Sequence, residues 1–316
     1  MQGQLMKRIF ILVTSFFTAL ILALLAAPAY AVKFSPVQVA PGIYAFIGET
    51  GMRTYDNEGM NANAGFIVTK VGVVVVDSGS SYLVAKAMHQ AIQKITQQPV
   101  KYVINTGGQD HRWLGNGYFK GMGAQIIASR KARTDIEERG AAELASLKPE
   151  LREKLTGTQI VYPDRIFDRE EKLNLGGEKV EILYFHGGHT PGDAVVWIPK
   201  SHTLFSGDLI FTDRLLGILP FSNSKDWLAS VMEIEKLKPK VIIPGHGKVS
   251  DLTQARHDTK DYLLLLRNHM RKAYAAGSDL QTAIDTLDQS AFQHLQNYEL
   301  LKGGNASRVY LEMETE

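Results

Sequence analysis

The chain contains no cysteine. That absence excludes disulfides, thiolate metal ligands and cysteine nucleophiles, and it suits an oxidising compartment. Neither sign of charge prevails: 35 Lys and Arg stand against 33 Asp and Glu. Internal repeats, low-complexity tracts and charged tails are also missing. A surface built to track nucleic acid or an anionic membrane needs an excess of cations that this chain lacks. Long hydrophobic runs are absent too, with one exception, "IFILVTSFFTALILALLAA", which follows Lys7 and Arg8 and precedes "AYA" at Ala29–Ala31. A basic start, an apolar segment and a small-x-small end predict a secretory signal over residues 1–31, hence export to the periplasm. An uncleaved anchor is the alternative, and the one route by which the sequence suggests membrane attachment. No cysteine follows this segment, which excludes a lipid anchor there. Without Lys7 and Arg8 the two charge classes balance at 33 each.

What is present is a regular succession of short elements. "VQVAPGIYAFIGE" reads as two strands around a Pro-Gly turn, and "GFIVTKVGVVVVDSG" as a hairpin whose second arm is apolar on both faces and therefore buried. "SYLVAKAMHQAIQKI" has helical periodicity, "VKYVINT" is a further buried strand, and a helix is expected from about Lys131 to Leu147, ending before Pro149. Strands return from Ile160, followed by the amphipathic "SKDWLASVMEIEKLKP", the strand "KVIIPGHG", a long helix to Gly277 and a last short helix capped by Ser278 or Asp279. Two strand-rich stretches with helices beside each predict two facing sheets with helices outside, in one domain over residues 32–316. "YDNEGMNANAG", Tyr55 to Gly65, reads as a mobile loop or hairpin tip.

Metal-ligand residue types stand at four junctions where an apolar run stops and glycines turn the backbone. These are Asp110–His111 after "YVINT", His189 in "FHGGHTPGD", Asp208 in "LFSGDLIF" and His246 in "IIPGHG". Each alone can be a turn cap or a packed loop histidine. Four on one sheet edge point to a cation held by imidazole and carboxylate: zinc first, with iron or manganese as competitors.

These motifs, in this order, resemble the metallo-β-lactamase superfamily, in particular its periplasmic branch associated with sulfur-oxidation and quinoprotein systems. The resemblance covers nearly all of the chain after residue 31. It implies an α/β (α+β) fold, the αββα four-layer sandwich. "VVVVDSG" matches the first motif, with Asp77 buttressing the metal loop. "GGHTPGDAVVWIP" matches the third, at His189, "LFSGDLIF" the fourth, at the bridging Asp208, and "IIPGHG" the fifth, at His246. The second motif departs. In place of Thr-His-x-His-x-Asp-His the chain has "NTGGQDH", one residue shorter and matching only in Asp110–His111. The site that would use the two missing histidines keeps only His189. The other keeps Asp110, His111, Asp208 and His246.

The resemblance therefore implies one metal ion, zinc by expectation, and a hydrolase acting on a small ester, thioester or lactam through a metal-activated water. Asp110 is the expected orienter or proton acceptor, and His189, freed from ligation, the expected general base or oxyanion donor. His186 is read as an ordinary loop histidine. Arg112 and Asn116 are expected near the pocket, with Asn116 as a helix cap and Trp113 in the core. Met60 and Phe221, on loops at Tyr55–Gly65 and Leu215–Ser224, are expected at its mouth. Beyond a small-molecule substrate, a periplasmic redox partner is considered. Two other readings stand beside the hydrolase: a non-catalytic binding protein of such a system, and sulfur-compound redox chemistry at a single iron.

Overall fold

The computed structural model describes residues 34–316; the signal assigned to residues 1–31 lies outside them. Sheet A has seven strands in sequence order: β1 (Val37–Ala40), β2 (Ile43–Phe46), β3 (Ala64–Thr69), β4 (Gly72–Val76), β5 (Val100–Ile104), β6 (Gln125–Ser129) and β7 (Arg165–Phe167). Its first four strands pair antiparallel and its last four, from β4 on, pair parallel. Sheet B has the order β12 (Val241–Ile243), β11 (Thr203–Phe205), β10 (Ala194–Ile198), β9 (Glu178–Tyr184), β8 (Glu170–Leu175), antiparallel except for β11 with β12.

Strand alternation explains why both sheets are covered on both faces. In β4, Val74 and Val76 point into the inter-sheet core, where they join Val196, Ile198, Phe205 and Ile243 of sheet B, while Val73 and Val75 face outward. Helix α1 (Tyr82–Gln93) covers that outer face with Val84, Met88 and Ile92. The outer face of sheet B is covered by Trp227 and Val231 of α5 (Ser224–Leu237), Leu263 and Leu266 of α7 (Asp261–Ala275), and Val309 of α9 (Tyr298–Met313). The result is the four-layer αββα sandwich, in which each sheet buries both faces.

Two helix expectations need correction. The helix predicted to stop before Pro149 is α4, Arg130–Leu151, and Pro149 lies inside its last turn. A proline there gives up one N–H close to the helix end, where little remains to be disrupted. The helix capped by Asp279, α8 (Leu280–Asp285), is not the last: the 16-residue α9 follows it. Two adjacent glycines, Gly303 and Gly304, interrupt the helical pattern of α9 in sequence. Docking against α7 and α8 outweighs that weak propensity. No helix of the described residues is long and apolar enough to cross a membrane.

The inter-sheet core is expected to dominate stability. Phe205→Ala, at a position 2% exposed between the sheets, should cost about 3–5 kcal/mol in urea unfolding.

Candidate metal centre

Loops at the strand ends on one edge of the sandwich carry the polar residues. β4 ends at Asp77, which adopts φ +62°, in the left-handed region that a short polar side chain tolerates better than most. Its Oδ1 accepts the Thr106 N–H at 2.7 Å, tying the β4 end to the loop after β5. That loop then enters α2 (Asp110–Trp113). Asp208 follows β11, and His246 follows β12. Gly245 is required beside them: a Cβ there would lie 2.7 Å from Arg112 Nη2 and 2.8 Å from Asp208 Oδ1.

Three of the sequence candidates converge. The ligand atoms of His111, Asp208 and His246, all buried, lie within 4.8 Å of one another. His111 Nε2 is 3.1 Å from Asp208 Oδ2, and His246 Nε2 is 3.1 Å from Asp208 Oδ1. The His246 ring stacks on Phe211, with centroids 4.6 Å apart.

Proton assignment decides whether this group suits a cation. His246 Nδ1 lies 2.6 Å from the Asn61 carbonyl oxygen and 3.2 Å from Arg214 Nη1; the shorter contact, to an acceptor, assigns the ring proton to Nδ1. Nε2 is then a bare acceptor facing a carboxylate oxygen. Burial holds this imidazole well below its ordinary range, so a second proton does not bridge the pair. Two facing acceptors suit a cation between them. Ligand atoms around a tetrahedral ion with bonds near 2.0–2.1 Å are roughly 3.3 Å apart, close to the spacing found. The donor set fits one small divalent ion.

Asp110 stands outside this group, contrary to the sequence expectation. Its Oδ2 is held by Arg53 Nη1, and its Oδ1 accepts the His111 N–H at 2.6 Å and lies 3.3 Å from His111 Nδ1. Burial opposes its charge, but Arg53 and His111 together hold the carboxyl well below the usual carboxylate range. A carboxylate so clamped is a poor proton acceptor. Arg53 Nη2 lies 3.0 Å from His111 Nδ1, closer than Asp110 Oδ1, so Arg53 and Asp110 together position the His111 ring from behind.

His189 stands apart as well. Its Nδ1 lies 2.9 Å from Gly217 O and its Nε2 2.6 Å from Gln109 Oε1; a neutral ring donates once, to Gly217 O, so the Gln109 amide is assigned with its NH2 turned toward Nε2. Burial lowers its pKa to about 4. Both ring nitrogens are therefore engaged in hydrogen bonds, and an imidazole of such low basicity is a weak proton acceptor, which argues against the expected general base. Gln109 takes the ring that a metal would otherwise hold. Gly107 and Gly108 leave no room for larger side chains: a Cβ would come within 2.6 Å of Asp193 Oδ1 at the first and 2.3 Å of the Asp135 Cβ at the second. His186 is exposed and belongs to neither group.

Sequence reasoning placed Arg112 at the pocket wall, but the structure places it at the centre of the loops. The side chain is 1% exposed. Its Nε and Nη2 donate to Asp208 Oδ2 at 3.0 Å and Oδ1 at 2.6 Å, and its Nη1 donates to Asp77 Oδ2 at 3.0 Å and to Asn63 O at 2.7 Å. Burial opposes the charge of Asp208, yet Arg112 and then His111 keep its carboxyl well below the usual range. In Asp77 burial prevails and the carboxyl is raised.

The loop Tyr55–Gly65, expected to be mobile, is buried from Asn57 on, and Asn63 Nδ2 donates to Pro244 O and Gly247 O. Asn116 is buried against Asn105 and Ser78 and caps nothing. Trp113 is in the core, as expected. Met60 packs beneath sheet A, and Phe221 lies under the Arg139 guanidinium. Other residues line the cavity, about 330 Å³, that opens onto the ligand group: Met52, Arg53, Gln109, Phe211, Arg214 and Leu219 among them. Arg214 is 8% exposed, and burial lowers its pKa to about 10. It forms no ion pair among the described residues, and its Nε has no hydrogen-bond partner. In sequence, Arg53 and Arg214 are single cations in unremarkable loops. The one available signal was Arg214 preceding the apolar "LLGIL".

A family model described as the metallo-beta-lactamase superfamily matches residues 57–246. A metallo-beta-lactamase type 2 of Elizabethkingia meningoseptica is 29% identical over 212 residues, covering 66% of this chain and 78% of that protein. A metallo-beta-lactamase type 2 of Bacillus cereus is 28% identical over 208 residues, covering 64% and 73%. Among solved structures, a metallo-beta-lactamase from Pontibacter korlensis superposes with a TM-score of 0.59 at 22% identity, over 73% of this chain and 99% of that one. The stereoselective inverting sec-alkylsulfatase Pisa1 from Pseudomonas sp. gives 0.70 at 16% identity, over 88% of this chain and half of that one.

Removing the buried guanidinium should be severe. Arg112→Met leaves Asp208 and Asp77 without their cation and should cost about 3–5 kcal/mol in chemical denaturation. Arg112→Lys should recover only part of this, because an ammonium cannot make the two-pronged contact. The neutral His189 predicts a pH signature. Its folded pKa lies below the unfolded value of about 6.5, so its contribution is complete above that pH and is lost as pH falls toward 4. The stability difference between wild type and His189→Gln should therefore shrink by about 2 kcal/mol from pH 7 to pH 5.

Proposed function

Since the chain belongs to the metallo-beta-lactamase superfamily, and so to metal-dependent hydrolases at that level, we propose that it hydrolyses a small ester, thioester or lactam with a single metal ion, zinc by preference. The observation that carries this is the pair of 3.1 Å approaches of His111 Nε2 and His246 Nε2 to separate oxygens of Asp208. These three residues would hold the ion. When bound, it supplies Lewis acidity and makes water acidic enough to attack near neutral pH.

The chain's own side chains take the remaining tasks. Asp110 fixes the His111 ring. Asn61 O fixes the His246 tautomer and Phe211 its plane. Arg53 and Arg214 line the cavity beside the two histidines and stabilise negative charge developing on a carbonyl oxygen, a task the absent histidine pair leaves to the protein. Met52, Phe211 and Leu219 offer an apolar wall. Arg214, without a carboxylate partner, favours substrates that carry an anionic group. The N-terminal sequence supports action in the periplasm.

One observation favours a second reading. Arg112 already neutralises Asp208, so the loops are charge-balanced without a metal. A metal-free binding protein of a periplasmic redox or sulfur system would look the same here.

Elemental analysis separates the two. The hydrolase reading expects about one equivalent of zinc or iron to be held at this centre, that equivalent being lost in His111→Ala and His246→Ala, with turnover of a chromogenic thioester or lactam falling at least 100-fold in both. Full turnover by metal-free protein, or no metal uptake at all, would sink it. Arg214→Gln should raise KM for an anionic substrate about tenfold or more and leave KM for its neutral amide analogue near wild type.

A further inference from the structure

A second set of ligand-type side chains lies away from this cavity. His257 and Asp258 sit on a π-helical turn, Arg256–Lys260, between α6 (Leu252–Ala255) and α7. His294 lies two residues beyond the short 3-10 turn Ser290–Phe292. One ligand atom from each of the three falls within 4.8 Å of the others. The two imidazole rings are 5.6 Å apart, and both side chains are exposed, while Asp258 is fully buried.

Asp258 is the informative member. Its Oδ2 accepts the Asp213 N–H at 3.0 Å and the Gln254 amide at 2.5 Å. Its Oδ1 meets only His257 Nδ1, at 2.7 Å. No lysine or arginine pairs with it among the described residues. A carboxylate taken wholly out of water needs a cation nearby, and among the described residues an imidazole is the only titratable partner it has. His294 makes no hydrogen bond among the described residues, which leaves its nitrogens free to ligate. The π-helical turn matters because an inserted residue in a helix re-aims the side chains on it and recurs at functional positions. Here it places the Asp258 carboxylate inward and His257 beside it toward His294.

We propose that His257, Asp258 and His294 bind a divalent cation independently of the cavity described above. Two imidazoles and one carboxylate, with positions open to water, select a borderline ion such as zinc or cobalt over calcium or magnesium. The ion ties the turn before α7 to the segment entering α9, joining parts of the chain 36 residues apart at their nearest ligands. That is a structural staple, and it places no demand on hydrolysis.

The test uses ZnCl2 with the full chain. After loading and desalting, zinc per chain should be two in wild type, one in His246→Ala, one in the double variant His257→Gln/His294→Gln, and none in the triple combination. In the His246→Ala background, zinc at a hundredfold excess over its Kd should raise Tm by about 5 °C, and His294→Gln should abolish that rise. Equal zinc counts in wild type and the double variant would overturn the proposal, as would a Tm rise that survives His294→Gln. Loss of zinc in His246→Ala alone, with none held elsewhere, would overturn it too and leave the hydrolase reading intact.

Discussion

The buried guanidinium of Arg112 is the constraint on which the candidate centre depends. It reaches from the loop after β5 to Asp77 at the end of β4 and to Asp208 at the end of β11, and also donates to the Asn63 and Gly245 carbonyls. Five segments distant in sequence are tied through one planar group. Isolated, any of these charges would be too costly to bury. Here the guanidinium offsets part of the carboxylate charge, and the fork geometry of arginine satisfies both Asp208 oxygens at once. The three-residue group of His111, Asp208 and His246 keeps its shape because its shared carboxylate cannot rotate.

The same arrangement gives a physical account of the altered second motif. Where the superfamily pattern carries two histidines, this chain has packed glycines against Asp193 and Asp135, and Gln109 holds His189 in their absence. At the positions where the superfamily pattern carries those histidines, this chain has a hydrogen-bonded interior. The candidate centre has a carboxylate and two imidazoles around a cavity with two arginines in its wall. In the proposed chemistry, positive charge fixed in side chains takes over part of what a second ion would provide, so the substrate's own charge becomes part of recognition.

The two faces of β4 and the strand-helix alternation announced a sheet covered on both sides, because apolar residues at every position of a strand leave no solvent face. The four ligand-bearing junctions were equally visible, since a polar residue after an apolar run and before a glycine marks a strand end. α9 was not legible, because two glycines erase its local signal and only packing restores it. The fates of Asp110 and Arg112 were not legible either. They are two residues apart on one helical turn, and the direction each side chain takes depends on Arg53 and Asp208, which sequence distance does not bring near.

By itself, the sequence determined the layers of the fold and the set of side chains able to meet at one edge of it, because periodicity and turn chemistry are local properties. Only the tertiary structure decided which of them share an oxygen and which are held away by an arginine. It also decided which cation at the cavity, Arg214, forms no ion pair among the described residues. Those outcomes turn on distances of about 3 Å between groups 57 residues apart for Arg53 and Asp110 and 96 apart for Arg112 and Asp208, and no local pattern encodes them.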